Sequence, residues 1–118
     1  MTRVLLVDDD RDLAEMLGAQ LTRAGYEVRT ADSLLSALEV AGEEAPFDAL
    51  ITDLNLPDAD GSAVAEALGV PVKLALTGSG SAEDVKRLLA AGFAAVLAKP
   101  LTGKQLVEAL ARSLEDVK

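Results

Sequence analysis

Five polar residues stand where short apolar segments of the chain end, and their types could do chemistry together. They are Asp8, Asp9, Asp53, Thr77 and Lys99. Three carboxylates in one low-dielectric cleft would repel one another, so such a group makes sense around a hard cation. Mg²⁺ suits them because it takes oxygen ligands and keeps several waters. An ammonium and a hydroxyl opposite, beside the small residue Gly78, could then contact the oxygens of a phosphoryl group.

Each of these features is also common where there is no site. A run of acids such as Asp8-Asp9-Asp10 often only starts a solvated helix, and an Asp such as Asp53 often only caps the turn after a strand. A Lys-Pro pair is a common turn. The meaning of these residues therefore depends on whether the fold brings them to one place.

The composition excludes several other kinds of chemistry. The chain has 118 residues and neither Cys nor His, which rules out disulfides, thiolate or histidine catalysis and the usual zinc sites. Its net charge of −9 disfavours direct binding to nucleic acid or to an anionic membrane. No apolar run approaches the ~20 residues that cross a bilayer, and the first strand starts too early to leave room for a signal peptide. We expect a cytoplasmic protein without membrane insertion.

Hydrophobic patterning predicts five strands. The third is too apolar for a solvated edge and is predicted to be a buried parallel strand, whereas the second alternates and is expected at a sheet edge. The predicted strands span Arg3–Val7, Tyr26–Thr30, Ala49–Asp53, Val72–Leu76 and Ala94–Ala98.

Helical spacing of apolar residues fills the intervals between the strands. The first helix is predicted to end at Gly25 and the second near Gly42, while the third, Ser62–Leu68, is short. Asp32 or Ser33 can cap the second helix. The residues expected on its buried face are Leu34, Leu38 and Ala41.

The last two helices have capping-box patterns at their starts, at Ser81 and at Thr102. Gly92 is expected to end the earlier one. That helix is expected to bury Val85, Leu88 and Leu89. The apolar stripe of the final helix consists of Leu106, Ala109, Leu110, Leu114 and Val117.

Strands and helices that alternate over short links predict an α/β fold. The expected architecture is a flavodoxin-like doubly wound sheet of five parallel strands in the order 2-1-3-4-5, with five helices on both faces. Residues 1–118 are interpreted as a single domain with no output domain in this chain. The carboxyl ends of strands 1, 3, 4 and 5 then share one crevice, so the five polar residues are expected to face it.

Over essentially its whole length the chain resembles the receiver domain of two-component response regulators, including the chemotaxis receivers. The resemblance is carried by four motifs in a fixed order, and as a set they are highly specific. The motifs are Asp8-Asp9-Asp10, Asp48-x4-Asp53-x3-Pro57-x2-Asp60-Gly61, Leu76-Thr77-Gly78 and Lys99-Pro100.

The resemblance implies a phosphoacceptor signalling module of a phosphorelay. Asp53 matches the residue that takes a phosphoryl group from a phosphohistidine on a histidine kinase or a histidine phosphotransfer protein. Phosphorylation would switch an interaction with an unknown downstream protein. The module would not act on an external small molecule, and would catalyse only its own phosphorylation and dephosphorylation.

The resemblance also implies a ligand set for Mg²⁺. Asp9 and Asp53 match its carboxylate ligands, the backbone carbonyl of Asn55 matches a third ligand, and Asp8 matches the acid that holds a metal-bound water. Asn55 and Ser79 flank the site and are hypothesised to influence water attack on the acyl phosphate. The residues expected to contact the phosphoryl oxygens are Thr77, Lys99 and the backbone N–H of Gly78.

Two positions depart from the family pattern. Val96 stands where receivers commonly carry Tyr or Phe coupled to the Thr, and Leu101 stands where Phe is common. Either the movement of Thr77 is relayed without a swinging ring, or phosphorylation changes this face only weakly. A β-branched residue at position 96 is also simply good strand packing. The short third helix must rely on packing, because a helix of this length has little intrinsic stability.

Two other functions stay open at this point. A haloacid-dehalogenase-like phosphatase would use Asp8 and Asp10 as nucleophile and acid–base pair, although Arg11-Asp12 follows in place of Gly-Thr and the motif from Asp53 to Gly61 would have no role. An interaction module that keeps the fold without being phosphorylated is favoured slightly by Val96. The complete set of acids, Thr and Lys argues against that module.

Overall fold

The computed structural model describes residues 1–44, 46–78 and 80–116. Within these ranges the chain forms one sheet of five parallel strands. The strands are β1 (Arg3–Val7), β2 (Glu27–Ala31), β3 (Ala49–Asp53), β4 (Val72–Thr77) and β5 (Ala95–Ala98). Their order is β2-β1-β3-β4-β5, which confirms the predicted doubly wound arrangement. The predicted bounds of three strands are wrong by one residue: β2 begins and ends one residue later than expected, β4 extends by one residue to include Thr77, and β5 begins one residue later.

Five helices alternate with these strands in the described part of the chain. They are α1 (Arg11–Arg23), α2 (Leu34–Glu44), α3 (Gly61–Leu68), α4 (Ala82–Ala90) and α5 (Gly103–Glu115). Buried residues form two separate clusters, one under α1 and α5 and the other under α2, α3 and α4. Both faces of the sheet are therefore covered, as a parallel sheet requires.

The apolar sequences of the central strands follow from this double cover. In β1, Val4 and Leu6 belong to the α1/α5 cluster, whereas Leu5 and Val7 belong to the other cluster. All four side chains are fully buried. The edge strand β2 keeps exposed residues at three of its five positions, in keeping with its predicted place at the sheet edge.

Polar caps fix where the later helices begin. Thr102 Oγ1 accepts a hydrogen bond from the N–H of Gln105 at 3.1 Å, and the N–H of Thr102 donates to Oε1 of Gln105 at 2.8 Å. This reciprocal pair confirms the capping box predicted for α5. Ser81 caps α4 by accepting from the N–H of Asp84 at 3.2 Å. Val117, predicted in the last apolar stripe, lies outside the described residues.

Helix α2 differs from the prediction in its extent and in its buried face. It continues past Gly42, and Leu38, predicted to be buried, is 40% exposed. The residue that faces the sheet is Ala37, which is fully buried. Consecutive helical residues point about 100° apart, so Leu38 projects away from the sheet. The same offset leaves Leu89 of α4 exposed beside its buried neighbour, contrary to the prediction.

Gly61, the first residue of α3, lies directly against the backbone at the end of β3. A Cβ built on Gly61 would be 2.2 Å from the carbonyl oxygen of Asp53 and 3.0 Å from Cα of Leu54. The N–H of Gly61 donates to the carbonyl of Leu54 at 3.0 Å. The short helix can begin this close to the strand only because glycine has no side chain.

We predict that Gly61→Ala destabilises the protein by roughly 1–3 kcal/mol, because the new methyl group overlaps backbone atoms that cannot rotate away. The free energy of unfolding from urea denaturation measures this loss. Gly42→Ala is the matched control, since both glycines are helical and a Cβ at Gly42 would meet nothing within 4 Å. The control is expected to be neutral or stabilising by up to about 1 kcal/mol. Wild-type stability of Gly61→Ala would contradict the steric argument.

Candidate functional site

Strand register brings the predicted residues to one edge of the sheet. The last paired positions are Val7 with Thr52, Asp53 with Leu76, and Thr77 with Ala98. Because all the strands run in the same direction, the residues at or just after these positions emerge side by side. Lys99 contacts both Asp8 and Asp53 there, and Asp9 and Thr77 border them.

Lys99 links the two buried carboxylates. Its Nζ lies 2.8 Å from Oδ2 of Asp8 and 2.9 Å from Oδ2 of Asp53. The side chains of Asp8 and Asp53 are 0% and 7% exposed, and that of Lys99 is 23% exposed. One ammonium therefore bonds to both acids from the more open side of the cleft.

The electrostatics of the cleft follow from burial and from this double contact. Burial raises the pKa of the Asp8 carboxyl, against the lowering effect of hydrogen bonds from Lys99 and from the N–H of Asp10. Burial alone would lower the pKa of Lys99, but its hydrogen bonds to Asp8 and Asp53 outweigh that effect and raise it. Lys99 is accordingly an ammonium at neutral pH.

Asp9 adds a third carboxylate to the cleft, on an exposed residue. One oxygen from each of Asp8, Asp9 and Asp53 lies within 4.8 Å of the other two. Opposite ligands of Mg²⁺ are about 4.2 Å apart when each bond measures about 2.1 Å. Three carboxylates and one ammonium leave two net negative charges, the charge that one divalent cation neutralises. The donor set thus fits Mg²⁺ in ligand type and in formal charge.

The loop after β3 holds the other oxygen of Asp53. The N–H of Asn55 donates to Oδ1 of Asp53 at 3.0 Å. Asn55 also pairs with Asp60 in an isolated antiparallel bridge. The carboxylate of Asp60 accepts from the N–H of Ser62 at 2.8 Å and so caps α3. The loop is therefore anchored at both ends, which keeps the Asn55 backbone beside Asp53.

Thr77 and Gly78 form the other side of the cleft. Thr77 is buried, and its carbonyl accepts from the N–H of Lys99 at 2.8 Å. Gly78 is exposed, and a Cβ there would meet no described residue outside its chain neighbours within 4 Å. The described part of the chain therefore leaves space beside Gly78. Ser79, which the sequence also placed at this edge, lies outside the described residues.

The two residues that depart from the family pattern pack in or against the two buried clusters. Val96 is half-buried and packs against the cluster under α2, α3 and α4. Leu101 is buried in the cluster under α1 and α5. Helix α3 has 8 residues, which confirms the short third helix. All three aromatic residues of the chain pack within or against these clusters.

Asp58 makes a contact that the sequence analysis did not predict. Its Oδ1 and Oδ2 accept from the N–H groups of Leu34 and Leu35 at 2.8 and 3.0 Å. The loop after β3 is thereby tied to the first turn of α2. Ser33 also contributes at this end, since its Oγ accepts from the N–H of Ser36 at 3.0 Å. The partners of Asp58 lie 24 and 23 residues away, so no local spacing could have revealed them.

Comparison with known proteins shows which family this chain belongs to. Residues 4–111 match the family described as the response regulator receiver domain. This chain belongs to that family. It is a receiver domain, and receiver domains are the phosphoacceptor signalling modules of two-component systems. The predicted family and class of function are therefore confirmed, whereas the roles of the individual residues stay predictions.

The receiver has relatives of different lengths. It is 37% identical over 100 residues to the response regulator receiver protein CpdR of Brucella abortus, covering 85% of this chain and 74% of CpdR. It is 36% identical over 117 residues to the transcriptional regulatory protein GlrR of Escherichia coli, covering 95% of this chain and 26% of GlrR. The receiver thus spans only a minor part of that larger regulator.

A solved structure shares the whole fold of the receiver. The crystal structure of a CheY-like response regulator receiver domain protein from Methanospirillum hungatei superposes with a TM-score of 0.86 at 30% identity, covering 99% of this chain and 96% of that one. The comparisons support the receiver and not the phosphatase. In the described part of the receiver, no helix combines the length and the apolar character needed to span a membrane.

We predict that the contact of Asp58 with α2 makes part of the stability of the receiver dependent on pH. Hydrogen bonds from the backbone N–H groups of Leu34 and Leu35 lower the pKa of Asp58 in the folded protein. Its contribution is therefore complete above the unfolded pKa of about 3.9 and is lost as the pH falls through the lower folded value. Urea midpoints of the wild type and of Asp58→Ala are expected to differ at pH 7 and to converge in acid.

Asp58→Asn is the control for this prediction. Its amide keeps one acceptor oxygen and does not titrate, so we expect a smaller loss at pH 7 and a stability of Asp58→Asn that does not vary with pH through this position. A difference between the wild type and Asp58→Ala that stays constant from pH 7 into the acid range would contradict the assigned role of the carboxylate.

Proposed function

We propose that Asp53 of this receiver accepts a phosphoryl group from a phosphohistidine on a histidine kinase or a histidine phosphotransfer protein. The observation that carries the proposal is the double contact of Lys99 with Asp8 and Asp53, next to a third carboxylate. A nucleophile, a counter-charge and a set of oxygen ligands for a divalent cation thus share one cleft. Phosphoryl transfer depends mainly on such positioning and charge neutralisation.

In the proposed step, a carboxylate oxygen of Asp53 attacks the phosphorus. The new O–P bond forms as the P–N bond to the imidazole breaks, and the electron pair returns to the imidazole nitrogen. The N–H of Asn55 and the ammonium of Lys99 each hold one oxygen of Asp53, so the carboxylate is oriented before the donor arrives. Attack by water on the resulting acyl phosphate would later release inorganic phosphate and restore Asp53.

The other residues of the cleft would neutralise and hold the incoming group. Lys99 and the hydroxyl of Thr77 would contact the phosphoryl oxygens, together with the N–H of Gly78, beside which the described part of the chain leaves space. Mg²⁺ would be held by the remaining residues and, when bound, supplies positive charge to the phosphoryl oxygens. Those residues are Asp8, Asp9, Asp53 and the backbone carbonyl of Asn55.

The receiver would therefore catalyse only its own phosphorylation and dephosphorylation and would act on no external small molecule. Its signal would pass to a downstream protein. A net charge of −9 supports a protein partner over nucleic acid or an anionic membrane surface. The proposed location of the receiver is the cytoplasm. The phosphatase alternative is disfavoured further because Asp10 caps α1, with Oδ1 accepting from the N–H of Leu13 at 3.1 Å.

We predict that the receiver gains the mass of one phosphoryl group when incubated with Mg²⁺ and acetyl phosphate. Peptide mapping is expected to place the group on Asp53, and Asp53→Asn or removal of the metal with EDTA is expected to abolish it. Steady turnover that is lost only in Asp8→Asn would favour the phosphatase. Absence of any adduct on the wild type would favour an interaction module that is not phosphorylated, the alternative that Val96 supports.

We also predict that Lys99→Met slows phosphorylation by acetyl phosphate roughly 10²-fold, because it removes a preorganised positive charge from the phosphoryl oxygens. The affinity for Mg²⁺, measured by calorimetry, is expected to stay equal or to increase, because the ammonium no longer competes for Asp8 and Asp53. Lys104→Met is the matched control, since this lysine is exposed on α5 and is expected to leave both quantities unchanged. A rate unchanged by Lys99→Met would contradict the role of Lys99.

A further inference from the structure

Helix α2 presents a continuous exposed face that no described element of the receiver covers. Its exposed positions recur at the spacing of a single helical face, i, i+3, i+4, i+7 and i+8. The opposite face of the helix, centred on Ala37, packs towards the sheet. The residues of this exposed face, here called the α2 outer face, are Leu35, Leu38, Glu39, Gly42 and Glu43.

The two leucines give the α2 outer face an apolar half. Leu35 is 63% exposed and Leu38 is 40% exposed, and they lie one turn apart. Among the described residues, the other large exposed hydrophobic side chains each lie on a different part of the chain: Met1, Met16 and Leu89. Scattered single apolar residues on a surface are ordinary, whereas contiguous exposed apolar area marks sites of protein interaction.

Gly42 has no role within the receiver that the structure shows. It lies inside α2, where glycine is the least favourable residue after proline, yet a Cβ there would meet nothing within 4 Å. No close approach by a described residue accounts for the missing side chain. A glycine on an exposed helical face does allow another backbone to approach closely from outside.

The charges of the α2 outer face indicate the kind of partner. Glu44, on the inner side of the same helix, is paired with Arg29 at 2.7 Å, whereas Glu39 and Glu43 form no ion pair with any described residue. No basic residue occurs in α2. A second copy of this chain would bring two acidic faces together, and each copy carries a net charge of −9. The complementary surface is therefore basic.

We propose that the α2 outer face docks an amphipathic helix of a downstream protein, with apolar residues on one stripe and Arg or Lys beside it. The apolar stripe would cover Leu35 and Leu38, the two backbones would meet at Gly42, and the basic residues would pair with Glu39 and Glu43. In this contact a helix packs against a helix, and apolar residues one turn apart anchor the two.

The docking surface adjoins the candidate phosphoacceptor site through Asp58. That carboxylate joins the loop that follows Asp53 to the N–H groups at the start of α2, including the N–H of Leu35. The inference rests on the proposed function in one respect only, that a downstream protein exists. Its test is made without Mg²⁺ and without a phosphodonor, so failure of docking and failure of phosphorylation are observed separately.

The test uses three synthetic helical peptides of about 18 residues, or roughly five turns. One has an apolar stripe of Leu flanked by Arg, the second has the same composition in scrambled order, and the third has Glu in place of each Arg. Each is titrated into ¹⁵N-labelled receiver and followed by amide chemical shifts. We expect binding of the first peptide alone, with the shifts concentrated on residues 34–44.

Variants then separate docking from folding. The double variant Leu35→Ser/Leu38→Ser is expected to weaken binding roughly tenfold or more, and Leu89→Ser, which alters an exposed leucine on α4, is expected to leave the Kd unchanged. Gly42→Ala is the sharpest variant, because it should weaken binding while leaving the receiver at least as stable as the wild type.

Four outcomes would overturn the proposal. They are equal binding of the scrambled peptide, shifts centred away from residues 34–44, an unchanged affinity of Gly42→Ala, and failure of all three peptides to bind. Self-association of the receiver through α2, measured by sedimentation and lost in Leu35→Ser/Leu38→Ser, would also overturn it, because the occupant would then be a second copy.

Discussion

The double contact of Lys99 with Asp8 and Asp53 is the interaction on which the rest of the site depends. Two carboxylates that are almost completely buried would repel each other and lose their hydration, and one ammonium offsets both effects. Three carboxylates against one cation still leave an excess of negative charge in the cleft. The arrangement is thus stable enough to fold and remains ready for a divalent cation.

Holding these charges together requires backbone that approaches unusually closely around β3. Gly61 lets α3 begin against the carbonyl of Asp53, and the loop between them is closed by the pairing of Asn55 with Asp60. Asp58 fixes the middle of the same loop to α2. These contacts fix the backbone around Asp53. Its carboxylate is held by the N–H of Asn55 and by the ammonium of Lys99, and of these two only the Lys99 contact is an ion pair.

The apolar surface of α2 follows from the face that this helix turns towards the sheet. Helix α2 faces the sheet through Ala37, so its leucines at positions 35 and 38 turn outward. At the opposite sheet edge, Val96 occupies the position where an aromatic ring is common in the family. It is half-buried and packs against the core under α2, α3 and α4. Of the five large hydrophobic residues that are exposed in the described part of the receiver, two lie on α2, which is also the helix tied to the loop after β3.

The sequence by itself determined the α/β class, the strand order, the family and the set of polar residues at the strand ends. Strand sequences buried on both faces are nearly continuous apolar runs, and the motifs after them have a fixed order, so short-range patterns were sufficient. Caps such as the Thr102–Gln105 pair were also predictable, because both partners lie within one helical turn.

Only the tertiary structure decided the rest. The contact of Asp58 with α2 and the fit of Gly61 against Asp53 depend on how separate elements approach each other in space. The outward direction of Leu38 depends on which side of α2 packs against the sheet. Helical spacing alone does not decide which of two consecutive residues faces the sheet.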